Sequence, residues 1–252
     1  MIFFRRVLIT GTTSGLGKGF LDYYTRTGAK VVCVNRRDDP DLARLYPNAQ
    51  FEKLDITNSV AVKGLLQRLE SSGNAPDLFI LSAGINRPDN LSGLDYDTYD
   101  EVMRTNLGGV MVFVGAINSL GLKGRTIVGM SSTSNIVANP AHIAYHLSKW
   151  AVKRSFNMLA QNDPHNRYKT VVLGPVRTNI MARYPQPEGL QRRLFELMAV
   201  QTPQTVEACA KFFSGRRSVL NYPMWVYLFY FFIKTAIVVL PGIYGGTRKK
   251  SN

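Results

Sequence analysis

Tyr145 and Lys149 stand four residues apart in the stretch YHLSK. On a helix, positions i and i+4 share a face, so the phenol and the ammonium can converge on one site. A free tyrosine has a pKa of about 10, too high for efficient base work near neutrality. A neighbouring ammonium favours the phenolate and lowers that value. Such a pair suits carbonyl–alcohol interconversion, where a cofactor carries the hydride and the protein supplies the proton on oxygen. Taken alone, it reads first as an exposed helix face with no chemistry. His146 points about a hundred degrees away from Tyr145 on the same helix and is given no acid–base role. His142 and His165 have no ligand or triad partners identifiable from the sequence.

A second constellation lies near the N-terminus. VLITGTTSGLGKG places Gly11, Gly15 and Gly17 directly after an apolar run and at a helix start. Glycine lets the backbone turn tightly and approach a ligand closely. The free N–H groups of the turn, shared by Thr13, Ser14 and Leu16, meet a pyrophosphate together with the positive helix end. Strand, turn and helix follow in the order that nucleotide binding requires.

The elements that must carry these residues alternate along the chain. RRVLIT, KVVCVN, QFEKLDI, DLFILSAG, GRTIVGMSS and KTVVLGP read as six strands, with helix-length amphipathic stretches between them. Runs such as VVCV and DLFIL are apolar without two-residue alternation, as in strands buried on both faces. The expectation is an α/β fold, a Rossmann-type doubly wound parallel sheet in a single domain.

The balance of 31 Lys plus Arg against 17 Asp plus Glu gives a formal net charge of +14. That suits an anionic partner such as a phosphorylated cofactor or an acidic membrane, although a solvated basic surface would give the same count. No aromatic-interleaved basic run points to nucleic acid. Cys33 and Cys209 sit in apolar patterns and read as buried free thiols, with no metal site. The opening MIFFRRVLITG leaves no room for a signal peptide before the first strand, and the catalytic domain is expected on the cytosolic, reducing side.

Further residues fall into the same order and spacing as in the short-chain dehydrogenase/reductase family, which the chain resembles over roughly residues 6–214. The glycine turn reads Thr-Gly-x-x-x-Gly-x-Gly; Asp55 and Ile56 end the third strand, and Ala83 and Gly84 end the fourth. Asn106 lies in the next helix, Ser132 ends the fifth strand thirteen residues before Tyr145, and LGPVRT ends the sixth. The resemblance implies that Asp55 lies at the adenine and that Val176 and Thr178 belong to the stretch holding the nicotinamide. It further implies that Lys149 holds the nicotinamide ribose, Ser132 bonds the substrate oxygen, and Asn106 holds a proton-relaying water. NAD-using members place Asp at the Asn35 position; here Arg36 and Arg37 follow a neutral residue, and a guanidinium suits a 2′-phosphate. NADP(H) is therefore expected over NAD(H), with Arg36 as the main contact. Asp38 and Asp39 could partly neutralise that arginine pair. Leu81, Ser82, Asn135 and Leu173 depart from the family pattern, and none of these positions carries a proton-transfer group.

Residues 1–217 are read as the dinucleotide-binding domain and 218–252 as a hydrophobic, basic-flanked helical extension. Between Pro223 and Pro241 only Lys234 is charged, while Arg216, Arg217, Arg248, Lys249 and Lys250 flank the segment. Basic residues at both ends fit a helix lying in a membrane interface better than a single span; an oligomer interface is the alternative. Similar extensions occur in membrane-associated members that act on lipid-like substrates, and residues 178–202 would form the substrate lid. The expectation is a membrane-associated oxidoreductase of a lipophilic carbonyl or alcohol, forming a homodimer or homotetramer. A catalytically silent subunit of a membrane assembly is the alternative from another class.

Overall fold

The computed structural model describes residues 3–89, 95–133, 142–178 and 196–229, with residues 93 and 193. Asn135, most of the expected lid and the chain beyond Phe229 lie outside the described residues. Strand β1 (Arg6–Thr10) leads into α1 (Gly15–Arg26), β2 (Lys30–Asn35) into α2 (Pro40–Leu45), and β3 (Gln50–Lys53) into α3 (Ser59–Ser71). After β4 (Leu78–Leu81) come α4 (Tyr96–Met103), a π-helical segment (Arg104–Gly108) and α5 (Gly109–Ser119). Then follow β5 (Thr126–Ser132), α6 (Ile143–Asn162), β6 (Arg167–Leu173), α7 (Thr202–Ser214) and β7 (Val219–Tyr222). All seven strands are parallel, in the order β3-β2-β1-β4-β5-β6-β7.

The apolar runs work as two-faced strands. Along β4, Leu78 and Ile80 enter the core shared with α1 and α7, while Phe79 and Leu81 enter the one under α3, α5 and α6. This is the pleat acting on a continuous apolar run. Helix starts are local: the Asp39 carboxylate accepts from Leu42 N at 2.9 Å with Pro40 in the first turn, and Asn58 accepts from Ala61 N at 3.0 Å. Cys33 and Cys209 are free and buried, and burial pushes both thiols up to about 12, so both act as apolar filling.

The sheet order sets the site. The chain winds outward from β1 to β3, then returns to place β4 on the other side of β1. A crevice opens at such a switch, above the carboxyl ends of the two neighbouring strands.

Val219–Tyr222 is a seventh strand absent from the sequence reading. It has four partly buried residues at the sheet edge, and Asn221 interrupts its apolar pattern. Residues 224–229 follow as helical turns that bury Val226 and leave Met224, Trp225 and Leu228 about half exposed. Among the described residues, no helix is long and apolar enough to cross a membrane.

Helix α6 is pressed onto β5 at Gly129, where an added Cβ would lie 2.9–3.0 Å from three atoms of the buried Phe156 ring. Gly129→Ala is expected to cost about 1–3 kcal/mol by overpacking, read as a lowered urea midpoint with an unchanged slope. An unchanged midpoint would mean that the ring can move aside without loss.

Candidate active site

The glycine turn is held from beneath by side chains the motif does not include. Gly11 and Gly15 adopt φ of 76° and 57°, the left-handed region that favours glycine. Gly11 also lies so close to β4 that an added Cβ would sit 2.8 Å from Ala83 Cα. Gly11 N donates to Val34 O at 2.9 Å, and the next amide, Thr12 N, donates to Asn35 Oδ1 at 2.8 Å. Asn35 Nδ2 donates back to Thr12 Oγ1 at 2.9 Å. Thr13 and Ser14 are exposed, and Ser14, at the N-cap of α1, makes no side-chain capping bond. The first-turn amides of Gly15, Leu16 and Gly17 are thus left uncapped by side chains, as anion binding at a helix start requires. Thr178 packs over Gly15, and Val176 bridges to Val200.

Asn35 faces inward and is buried, so the selector position used in the sequence reading is a brace for the turn rather than a ribose contact. The first exposed side chain past β2 is Arg36, and Arg37 follows it. Neither neighbouring acid is spent on them: Asp38 pairs with Lys53 at 2.8 Å, and Asp39 caps α2. The Asp55 carboxyl is held below its usual range, first by the Thr57 N–H and hydroxyl and then by Arg36 and Arg104. Ile56 is buried in the core against Gly109. Ser82, standing where the family has asparagine, donates to Thr10 O at 2.5 Å, and Ala83 N donates to Thr10 Oγ1 at 3.0 Å. The link between β1 and β4 therefore survives that departure.

Further along the carboxyl ends of the strands, Ser132, Tyr145, Lys149 and Asn106 come together. Tyr145 hydrogen-bonds Ser132. Lys149 Nζ donates to Met130 O at 3.1 Å and lies 5.5 Å from the centroid of the Tyr145 ring. Asn106 is buried in the π-helical segment: its Oδ1 accepts from Ile85 N at 2.8 Å and its Nδ2 donates to Ile85 O at 2.8 Å. An added Cβ on Gly84 would sit 3.1 Å from Asn106 Oδ1 and 3.4 Å from Lys149 Nζ, so glycine there keeps open the space these groups border. Two supports escaped the sequence reading. Ser148 donates to Tyr145 O at 2.7 Å and accepts from Asn106 Nδ2 at 3.1 Å, and Ser131 donates to Lys149 O at 2.8 Å. Ser148 lies inside YHLSK itself, yet only the meeting of α6 with the π-helical segment reveals its partner.

The electrostatics differ from expectation. Burial pushes the Tyr145 phenol up to about 12, and the Ser132 hydrogen bond only partly opposes it. Lys149 does not bring it below the ordinary value, because its ammonium is anchored on Met130 O and is itself desolvated, down to about 8. Near pH 7 the phenol keeps its proton and the lysine its charge: a proton donor beside a cation.

Residues 5–189 match the family described as short chain dehydrogenase. An uncharacterized oxidoreductase of Listeria monocytogenes is 27% identical over 198 residues, covering 73% of this chain and 79% of its own. The 3beta-hydroxysteroid dehydrogenase 2 of Eggerthella lenta is 25% identical over 227 residues, 82% and 86% of the two chains. Among solved structures, a gluconate 5-dehydrogenase from Burkholderia cenocepacia in complex with NADP and tartrate superposes with a TM-score of 0.76 at 20% identity, covering 86% and 92%. A short chain dehydrogenase/reductase from Burkholderia phymatum in complex with NAD gives 0.78 at 19% identity, covering 94% and 96%. The chain belongs to the short-chain dehydrogenase/reductase family, oxidoreductases acting on CH–OH groups.

The Lys149 charge is present below about pH 8 and lost above it. NADPH affinity, read by nicotinamide fluorescence between pH 7 and 9, should therefore fall as pH rises. Lys149→Arg, whose guanidinium stays charged, should bind with no such pH dependence. A pH-independent wild type would contradict a role for that charge in cofactor binding.

Proposed function

We propose that the protein is an NADP(H)-dependent oxidoreductase interconverting a lipophilic carbonyl and its alcohol, with Tyr145 as general acid and base. The observation that carries this reading is the Ser132–Tyr145 hydrogen bond beside the buried Lys149 ammonium, at the carboxyl end of the sheet that also carries the glycine turn. The nicotinamide cofactor, when bound, supplies the hydride. The chain's own residues do the rest. Ser132 orients the substrate oxygen and Tyr145 gives it a proton. Lys149 stabilises the phenolate left behind and holds the nicotinamide ribose. Asn106, fixed by Ile85 and Ser148, holds the water through which the proton is replaced. The turn amides, Thr13, Ser14 and Leu16 among them, receive the pyrophosphate; Asp55, Ile56, Ala83 and Gly84 border the adenosine; Val176 and Thr178 hold the nicotinamide side.

Arg36 supports NADP(H): it is exposed past β2, and both adjacent acids are engaged elsewhere. A lipophilic substrate is supported by the apolar stretch from Trp225 onward, by the half-exposed Met224, Trp225 and Leu228, and by a relative named as a hydroxysteroid dehydrogenase. The basic residues flanking that stretch support membrane association of the C-terminal segment with the catalytic domain on the cytosolic side. Exposed Leu147, Trp150 and Met158 on α6 support a homodimer or homotetramer.

The test is NADPH oxidation with straight-chain aldehydes and methyl ketones of increasing length. Tyr145→Phe should keep NADPH binding and lose turnover; full activity in that variant would refute the proton-donor role. Arg36→Ala should weaken NADPH by about 10- to 100-fold, the value of a charge-assisted bond, and leave NADH nearly unchanged. Equal effects on the two cofactors would refute the 2′-phosphate contact.

A further inference from the structure

The helix that carries Tyr145 and Lys149 is capped by a residue remote from it in sequence. Asp89, on the loop after β4, is only 7% exposed. Its Oδ2 accepts from Ala144 N at 2.7 Å, and its Oδ1 accepts from Ile143 N. Those are the first two residues of α6, and Tyr145 is the third. His142, at the N-cap, makes no side-chain capping bond, so the local sequence leaves these donors to a carboxylate 54 residues upstream. A buried carboxylate with two acceptor oxygens fits two adjacent amides and the positive helix end.

The same loop reaches the rest of the site. Ile85 makes both of its backbone bonds to Asn106. His142 Nδ1–H donates to Arg87 O at 3.3 Å, and Arg87 Nε pairs with Glu101 Oε2 at 3.2 Å. Residues 85–89 therefore form a strap that starts beside Gly84, grips the Asn106 side chain and ends on the first turn of α6. A shift of that turn moves the Tyr145 oxygen directly, because its backbone follows the two amides that Asp89 holds.

We propose that Asp89 is a positioning residue: it fixes the first turn of α6 and thereby the distance of Tyr145 from Ser132 and the substrate oxygen. It touches no reacting atom. The inference rests on the reading of Tyr145 as proton donor.

Asp89→Ala and Asp89→Asn separate positioning from simple support of the fold. In Asp89→Ala, NADPH affinity should change by less than about threefold while kcat with a straight-chain aldehyde falls about a hundredfold at nearly constant KM. Hydrogen exchange of the amides of residues 143–149 should quicken while the rest of α6 keeps its protection. Asp89→Asn, which keeps one acceptor oxygen, should lie between Asp89→Ala and wild type. If Asp89→Ala does not fold, Asp89→Asn decides: it should keep NADPH affinity and lose about tenfold or more in kcat. Unchanged kcat in the folded variant overturns the proposal. So does a parallel loss of melting temperature, NADPH affinity and kcat, the mark of a purely structural cap. Tyr145→Phe is measured beside it. An active Tyr145→Phe removes the proposed function, whereas an inactive one with a fully active Asp89 variant removes this inference alone.

Discussion

A lysine ammonium at 7% exposure is costly unless its N–H groups find partners and its charge has a use. Lys149 has three donors and gives one to Met130 O, on the strand that ends in Ser132. That placement ties α6 to β5 at the level where Tyr145 meets Ser132. It requires Gly129 to admit Phe156 against β5 and Ser131 to take the Lys149 carbonyl. It also requires Gly84 to leave the approach to Nζ open. One buried cation thus sets conditions on a strand, a helix and a loop from three parts of the chain.

The parallel sheet meets these conditions because strand order puts the ends of β1, β4 and β5 side by side. The β1 end carries the glycine turn, the β4 end carries Ala83 and Gly84, and the β5 end carries Ser132. The π-helical segment between α4 and α5 adds the fourth wall. Its widened turn aims the Asn106 amide at Ile85 and Ser148, where an uninterrupted α-helix would place the side chain at another angle. The desolvated phenol and the buried ammonium then differ in state near neutral pH, the one holding its proton and the other its charge.

The sheet was legible in the sequence because its strands are buried on both faces, so β1, β2, β4, β5 and the second half of β6 carry apolar cores without two-residue alternation. β7 did not, since an edge strand needs no such run and Asn221 breaks the one it has. The glycine turn and the Tyr145–Lys149 pair were legible for a different reason: their geometry is local, fixed by turn and helix spacing. Contacts set by tertiary packing left no local trace. Asn35 reads in the sequence only as a neutral residue where NAD-using members have Asp, and only the fold turns it onto Thr12. Asp89 and Ser148 carry no spacing signal, because their partners lie on other elements. The direction of the Tyr145 shift is not legible in the sequence: spacing shows the attraction of a nearby ammonium, whereas the desolvation of both groups comes only with the fold.

Burial holds Tyr145 in the folded protein as a protonated phenol. Protein labelled at tyrosine Cζ with carbon-13, with the Tyr145 resonance assigned by its absence in Tyr145→Phe, reports that ionisation directly. A phenol that stays protonated through neutral pH, with a midpoint pushed up toward about 12, is the predicted result. A midpoint below the ordinary tyrosine value of about 10 would contradict it and would restore Lys149 as the dominant influence on the phenol.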